Sequence, residues 1–136
     1  MDFYINCIKN YFNFSGRIQR KEFWTFTLIN LTVLILLIFF ITQEDYFNTT
    51  DNFGFLVTLF SLFIIFIIIP QVSACVRRLH DTNRSGWWWF IRFVPIIGNL
   101  WLLILLIEDS HPGKNKWGDN PKGIGNDTAI DLIGKE

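Results

Sequence analysis

Phe23 to Thr42 reads FWTFTLINLTVLILLIFFIT and holds no ionisable residue. An amphipathic helix of a soluble protein would place polar residues at every third or fourth position along one face, and this stretch does not. At about 1.5 Å per residue its length comes to roughly 30 Å, the thickness of a bilayer core. Phe53 to Ala74, FGFLVTLFSLFIIFIIIPQVSA, repeats the pattern, and Trp87 to Ile107 is a third such block with Arg92 inside it. The charges collect in the gaps between blocks. These features predict an all-α fold, an integral membrane helical bundle with hydrophobic segments near 23–42, 53–74 and 87–107. The first block is read as a retained span: the 22 residues ahead of it are long for the charged region of a signal, and no small-x-small cleavage site follows Thr42. The 136 residues leave room for one domain, placed at 1–122, with a poorly ordered tail at 123–136.

Working outward, Met1 to Phe14 carries Tyr4, Ile5, Ile8, Tyr11 and Phe12 at helical spacing, with Lys9 and Asn10 off that stripe. The pattern predicts a short amphipathic helix at the membrane interface, broken by Ser15-Gly16. The loop Gln43 to Asn52 is acidic, whereas Lys9, Arg17, Arg20 and Lys21 precede the first block and Arg77, Arg78 and Arg84 follow the second. The positive-inside rule then places the N-terminus and the 75–86 loop in the cytoplasm. The third block leaves two readings open. Pro95 and Gly98 sit near its middle, where Pro removes a helix hydrogen bond and Gly weakens continuation. It is either a kinked third span with the tail outside, or a re-entrant hairpin that returns Lys114, Lys116 and Lys122 to the cytoplasm. We favour the kinked span, because the two halves are short for separate elements.

The 12 basic and 12 acidic residues cancel, so no net field favours nucleic acid as a partner. Cys7 and Cys75 lack metal or redox spacing and are read as reduced thiols. No metal site and no cofactor is expected. Chemistry concentrates in RRLHDTNRSGWWW, Arg77 to Trp89. On a continuing helix, Asp81 is within reach of Arg77 at i, i+4 or Arg78 at i, i+3. Thr82-Asn83 ends that helix, and Ser85 can cap the next. Clustered guanidiniums beside a helix start form a candidate anion pocket, and lipid head groups are the nearest phosphates. His80 and Asp81 are adjacent and so point about 100° apart on a helix, which weakens a base-and-orienter reading. Arg92 is expected either to snorkel to the interface or to pair with Glu22, for which Arg20-Lys21 compete. Asn30 is a candidate for hydrogen bonding between helices. Trp24, Trp87, Trp88, Trp89 and Trp117 are expected interfacial anchors.

Three motifs in order, FNFSGRIQRKEFW (Phe12 to Trp24), RRLHDTNRSGWWW with VPIIG (Arg77 to Gly98) and GKNKWGDNP (Gly113 to Pro121), resemble the domain of unknown function 805 family of small bacterial inner-membrane proteins. The resemblance covers roughly residues 10 to 122. Trp117 stands where the family usually has Tyr. The resemblance implies an all-helical, multi-spanning fold in a bacterial cytoplasmic membrane and implies no activity. By motif match it singles out Gly16, Arg17, Arg20, Glu22, Phe23 and Trp24, then Arg78 to Asp81 with Arg84 to Trp87, then Asn115, Gly118, Asn120 and Pro121.

The functional expectation is a non-enzymatic, multi-pass membrane protein. Its cytoplasmic-side cluster (Arg17, Arg20, Glu22, Arg77, Arg78, His80, Asp81, Arg84 and Asn120) would bind anionic lipid head groups or a partner protein, a second copy or another membrane protein. Two alternatives stand beside it. One is a small oligomeric channel or transporter, suggested by the Pro-Gly break in the third block. The other is a membrane enzyme acting on a lipid head group, with His80 as general base.

Overall fold

A computed structural model of the chain describes residues 2–46 and 52–126, so residues 47–51 of the acidic loop and 127–136 of the expected tail lie outside them. The two uncharged blocks become helices, the first longer than its apolar stretch at both ends and the second continuing only beyond its C-terminal end. After the short α1 (Asp2–Lys9) come α2 (Arg20–Tyr46) and α3 (Phe53–Asp81). Thr27, near the start of α2, accepts a hydrogen bond from Gln71, near the end of α3, at 3.0 Å, so the two helices run antiparallel. Burial is lopsided. Phe23, Phe26 and Asn30 of α2 and most of Ile67 to Asp81 of α3 are buried, whereas Leu36, Phe39, Phe40, Phe55, Leu62 and Ile65 in the other halves are exposed. Only 11% of each apolar window is covered by the protein itself. A soluble core helix is covered on its apolar side, so these helices need another apolar phase around them. Both are long and apolar enough to cross a membrane. The molecule is an all-helical membrane bundle.

The third block corrects our preferred reading. It is not one kinked span. Gly86–Phe93 forms a 3₁₀ segment, the chain turns at Val94 to Ile96, and α4 (Ile97–Ile107) comes back. At about 1.5 Å per residue, the 11 residues of α4 reach only about 16 Å, half a bilayer core. The turn is tight. Ile97 N–H bonds to the Pro95 carbonyl at 2.7 Å with Ile96 at φ 65°, ψ −64°, a positive-φ γ-turn that a β-branched residue adopts only under strain. Gly98 allows the arms to close: a Cβ there would stand 1.8 Å from the Ile91 carbonyl oxygen. The two ends of the hairpin meet, with Arg84 paired to Glu108 and His111 N–H bonded to the Asp81 carbonyl at 2.9 Å. Expected termini elsewhere are observed. Asn83, at φ 60°, closes α3 in a Schellman arrangement, with Arg84 N–H on Leu79 C=O and Asn83 N–H on His80 C=O. The Ser85 hydroxyl accepts from Trp87 N–H.

The amphipathic segment folds onto the bundle. Cys7 is its fully buried residue, Tyr4 donates to Asn30 at 3.2 Å and packs in a tilted contact with Phe26, and the expected stripe members Ile5 and Phe12 stay exposed. Tyr11 has a specific task. Pro70 continues α3 without an N–H, which leaves the Phe66 carbonyl four residues back without its helical donor. The Tyr11 hydroxyl supplies that donor at 2.6 Å. At the far end, the loop after α4 is closed through residue 126 by Gly113 N–H on Ile124 C=O and by paired bonds between Asn120 and Asn126, so this part of the expected tail packs with the domain. Residues 127–136 lie outside the described residues.

Candidate functional site

At the packed end of the bundle three chain segments meet around Asp81. Its carboxylate accepts from Arg17 Nε at 2.9 Å on one oxygen; on the other it accepts from Arg78 Nη1 and, at 2.6 Å, the Ser110 hydroxyl. Its backbone carbonyl accepts from His111 N–H and from Arg17 Nη2 at 3.3 Å. All three charged side chains are essentially without solvent contact, at 1%, 0% and 0% exposure for Arg17, Arg78 and Asp81. A buried arginine has five N–H donors to satisfy. Arg17 places them on Asp81 and on the carbonyls of His111, Gly113 and Gly118. Arg78 places them on Asp81 and on the carbonyls of Leu106 and Glu108. Those last two belong to the C-terminal end of α4, where carbonyls lack helical partners and the helix dipole favours a cation. The triad carries one net positive charge, and backbone oxygens surround it.

The nine candidate residues therefore separate. Arg17, Arg78 and Asp81 form the clasp, and Asp81 pairs with Arg78 rather than Arg77. Asn120 is buried and bonds only its own loop, donating to His111 C=O and Ile124 C=O and accepting from Lys122 N–H. His80 lies with Nδ1 3.3 Å from the Gly16 carbonyl, its ring stacked on Trp117 at 4.4 Å between centroids. Trp117 is thus a packing partner of His80 and not a free anchor. Asp81 faces the arginines, so among the described residues no carboxylate orients the histidine. Glu22 takes the Asn6 side-chain amide, and Arg92 lies with Cζ 5.1 Å over the Trp89 ring; the Arg92–Glu22 pair is not formed. Arg77 is buried beside the Cys7 thiol and near Glu22, with Nε and Nη2 lacking any hydrogen-bond partner among the described residues. Burial and the neighbouring Glu22 push the Cys7 thiol up to about 11, so it stays protonated at neutral pH. Arg20 and Arg84 remain toward solvent, Arg20 with one bond at 3.3 Å to Ile107 C=O and Arg84 in the Glu108 pair. Trp87 and Trp88 are exposed; Trp24 and Trp89 pack partly against the core.

Residues that sequence reasoning passed over include Ser110, the third ligand of Asp81, and Ser73, whose hydroxyl donates to Asn13 C=O at 2.6 Å and fixes the chain after α1. A hydroxyl three residues after the apolar block, behind Glu108 and Asp109, was the available signal for Ser110. Among the described residues no group of three His, Cys, Asp or Glu side chains converges as metal ligands would.

With this geometry in view, the comparisons are specific. The family model described as "Protein of unknown function (DUF805)" matches residues 11–119. The chain belongs to this family. Among its DUF805 relatives, inner membrane protein YhaI of Escherichia coli K12 is 40% identical over 124 residues, covering 90% of this chain and 97% of YhaI. Inner membrane protein YhaH of the same strain is 34% identical over 122 residues, covering 90% of this chain and 98% of YhaH. No solved structure gives a significant match. The relatives' names support a bacterial inner-membrane location for this DUF805 chain. The three motifs that carried the resemblance meet in space: Arg17 from the first, Arg78 and Asp81 from the second, and the Gly113 and Gly118 carbonyls from the third.

Proposed function

We propose that this DUF805 chain is a multi-pass, non-enzymatic inner-membrane protein whose cytoplasmic rim binds anionic lipid head groups. Its N-terminus, its 75–86 loop and the loop after α4 then share the cytoplasmic side. The observation that carries this reading is the saturated Arg17–Asp81–Arg78 clasp. Its donors and acceptors are already engaged within the protein, and His80 is stacked and bonded with no nucleophile hydrogen-bonded to its ring among the described residues. A fixed, satisfied polar network suits holding a fold better than turning over a substrate. The clasp ties Arg17, Asp81 and His111 together, which supports a same-side arrangement of those three segments. Among the cations left facing outward are Arg20 and Lys21 at the start of α2, one turn before Trp24, where basic side chains and an aromatic ring meet a phosphate layer.

Two measurements test this. A reporter fused after Lys122 should register as cytoplasmic; a periplasmic signal would overturn the topology. In native mass spectrometry, a double Arg20→Ala, Lys21→Ala variant should carry less co-purifying anionic lipid than wild type, while its thermal midpoint stays within a few degrees. Unchanged lipid would remove the rim from the binding role.

A further inference from the structure

The clasp holds the hairpin against α2 and α3, and between them lies a groove of about 600 Å³. That volume falls in the range of about 300–1,000 Å³ typical of ligand pockets. Its walls are mostly apolar, from Phe23 on α2, Ile67 and Val72 on α3, and Phe93 and Leu102 on the hairpin. A groove open to hydrocarbon gains little from apolar contact alone, because lipid tails are as apolar as its walls. Its polar groups decide what it prefers. Here they are Arg92, Asn99 and the bonded pair Gln71–Thr27. Arg92 reaches back over the ring of Trp89, one turn nearer the start of the hairpin, and forms no ion pair among the described residues. Among the described residues no aspartate or glutamate lines the groove.

We propose that this groove holds one acyl chain of an anionic phospholipid, with the lipid phosphate on the Arg92 guanidinium. The inference rests on the anionic-lipid reading above and adds a second site within the membrane, separate from Arg20 and Lys21 at the rim. The charge argument selects the occupant. A guanidinium offers a fork that matches phosphate, and with its Cζ 5.1 Å from the Trp89 ring centroid Arg92 makes no side-chain hydrogen bond among the described residues. An ethanolamine head group would bring an ammonium to a wall that has a cation and no carboxylate. A glycerol head group brings none, and Asn99 can meet its hydroxyls.

The test uses the full chain, delipidated in detergent and titrated with phosphatidylglycerol or phosphatidylethanolamine of matched chains, read by native mass spectrometry. Wild type should retain phosphatidylglycerol in preference. Arg92→Gln should narrow that preference to what Arg20 and Lys21 supply at the rim, and Val72→Trp, which fills the groove from α3, should lower retained phosphatidylglycerol. A wild type without preference overturns the anionic-lipid reading and this site with it. A wild-type preference that both variants keep undiminished overturns the groove alone. Because Val72→Trp could fail to fold, wild type is also cross-linked to phosphatidylglycerol carrying a photoreactive acyl chain. Attachment to groove residues within 64–72 and 89–106 supports the site. Attachment confined to the outer faces of α2 and α3, away from the hairpin, overturns it.

Discussion

Asp81 is the residue on which the packed end of the bundle depends. Two buried guanidiniums face one carboxylate, and an isolated buried charge is far costlier than a paired one. Asp81→Asn keeps the shape and some hydrogen bonding but leaves both arginines without a counter-charge. We expect a loss of about 3–5 kcal/mol, the range for breaking a buried pair from one side, read as a fall in the thermal midpoint in detergent. A variant as stable as wild type would mean that the backbone carbonyls alone hold the two cations. The sequence made part of this legible. RRLHD placed an acid within reach of two arginines on one helix, and the i, i+3 choice was among the options. It could not show that Arg17, 64 residues away, supplies the other bond. Nor could it show that Arg92 would settle on an aromatic ring three residues back instead of on Glu22, since helical depth alone does not fix side-chain direction.

At the scale of elements, α2 and α3 were readable because twenty uncharged apolar residues have few alternatives to a spanning helix. The third block has a similar length and composition, so length misled. The deciding facts were local: Pro95 stops the helix, Ile96 takes a positive φ, and Gly98 lets the arms touch. Gly98→Ala puts a methyl group into the Ile91 carbonyl and should cost about 3 kcal/mol, the upper end for overpacking. Its expected readout is a lowered melting temperature, and an unchanged one would mean that the arms are not in contact there. Pro70 gives a sharper case. Tyr11→Phe leaves the Phe66 carbonyl unpartnered and should cost about 1–2 kcal/mol. In a Pro70→Ala background the helix supplies its own N–H, so the same tyrosine change should become close to neutral. Equal losses in both backgrounds would refute the link between Tyr11 and Pro70.

For the whole molecule, the question is what couples segments far apart in the chain. Arg17 does so more than any other described residue, because its donors reach α3 and three carbonyls of the loop after α4. A lysine in its place keeps the charge and loses the planar fork, so it can serve one or two of these oxygens but not all. Hydrogen bonds to a charged donor are worth about 1.5–3 kcal/mol each. Losing even one should therefore raise local opening of the loop roughly tenfold, since about 1.4 kcal/mol corresponds to that factor. Lys114 and Lys122 make the loop a natural trypsin substrate whenever it lifts. Proteolysis under native conditions tracks the open population when closing is fast. Arg17→Lys should then be cleaved at these lysines about ten times faster than wild type, with α2 and α3 still resistant, as followed by mass spectrometry of the fragments. If cleavage spread over the whole chain, Arg17 would be holding the entire fold. If the rate did not change, the loop would be held by Asn120, Asn115 and its own turns, without the arm that precedes α2.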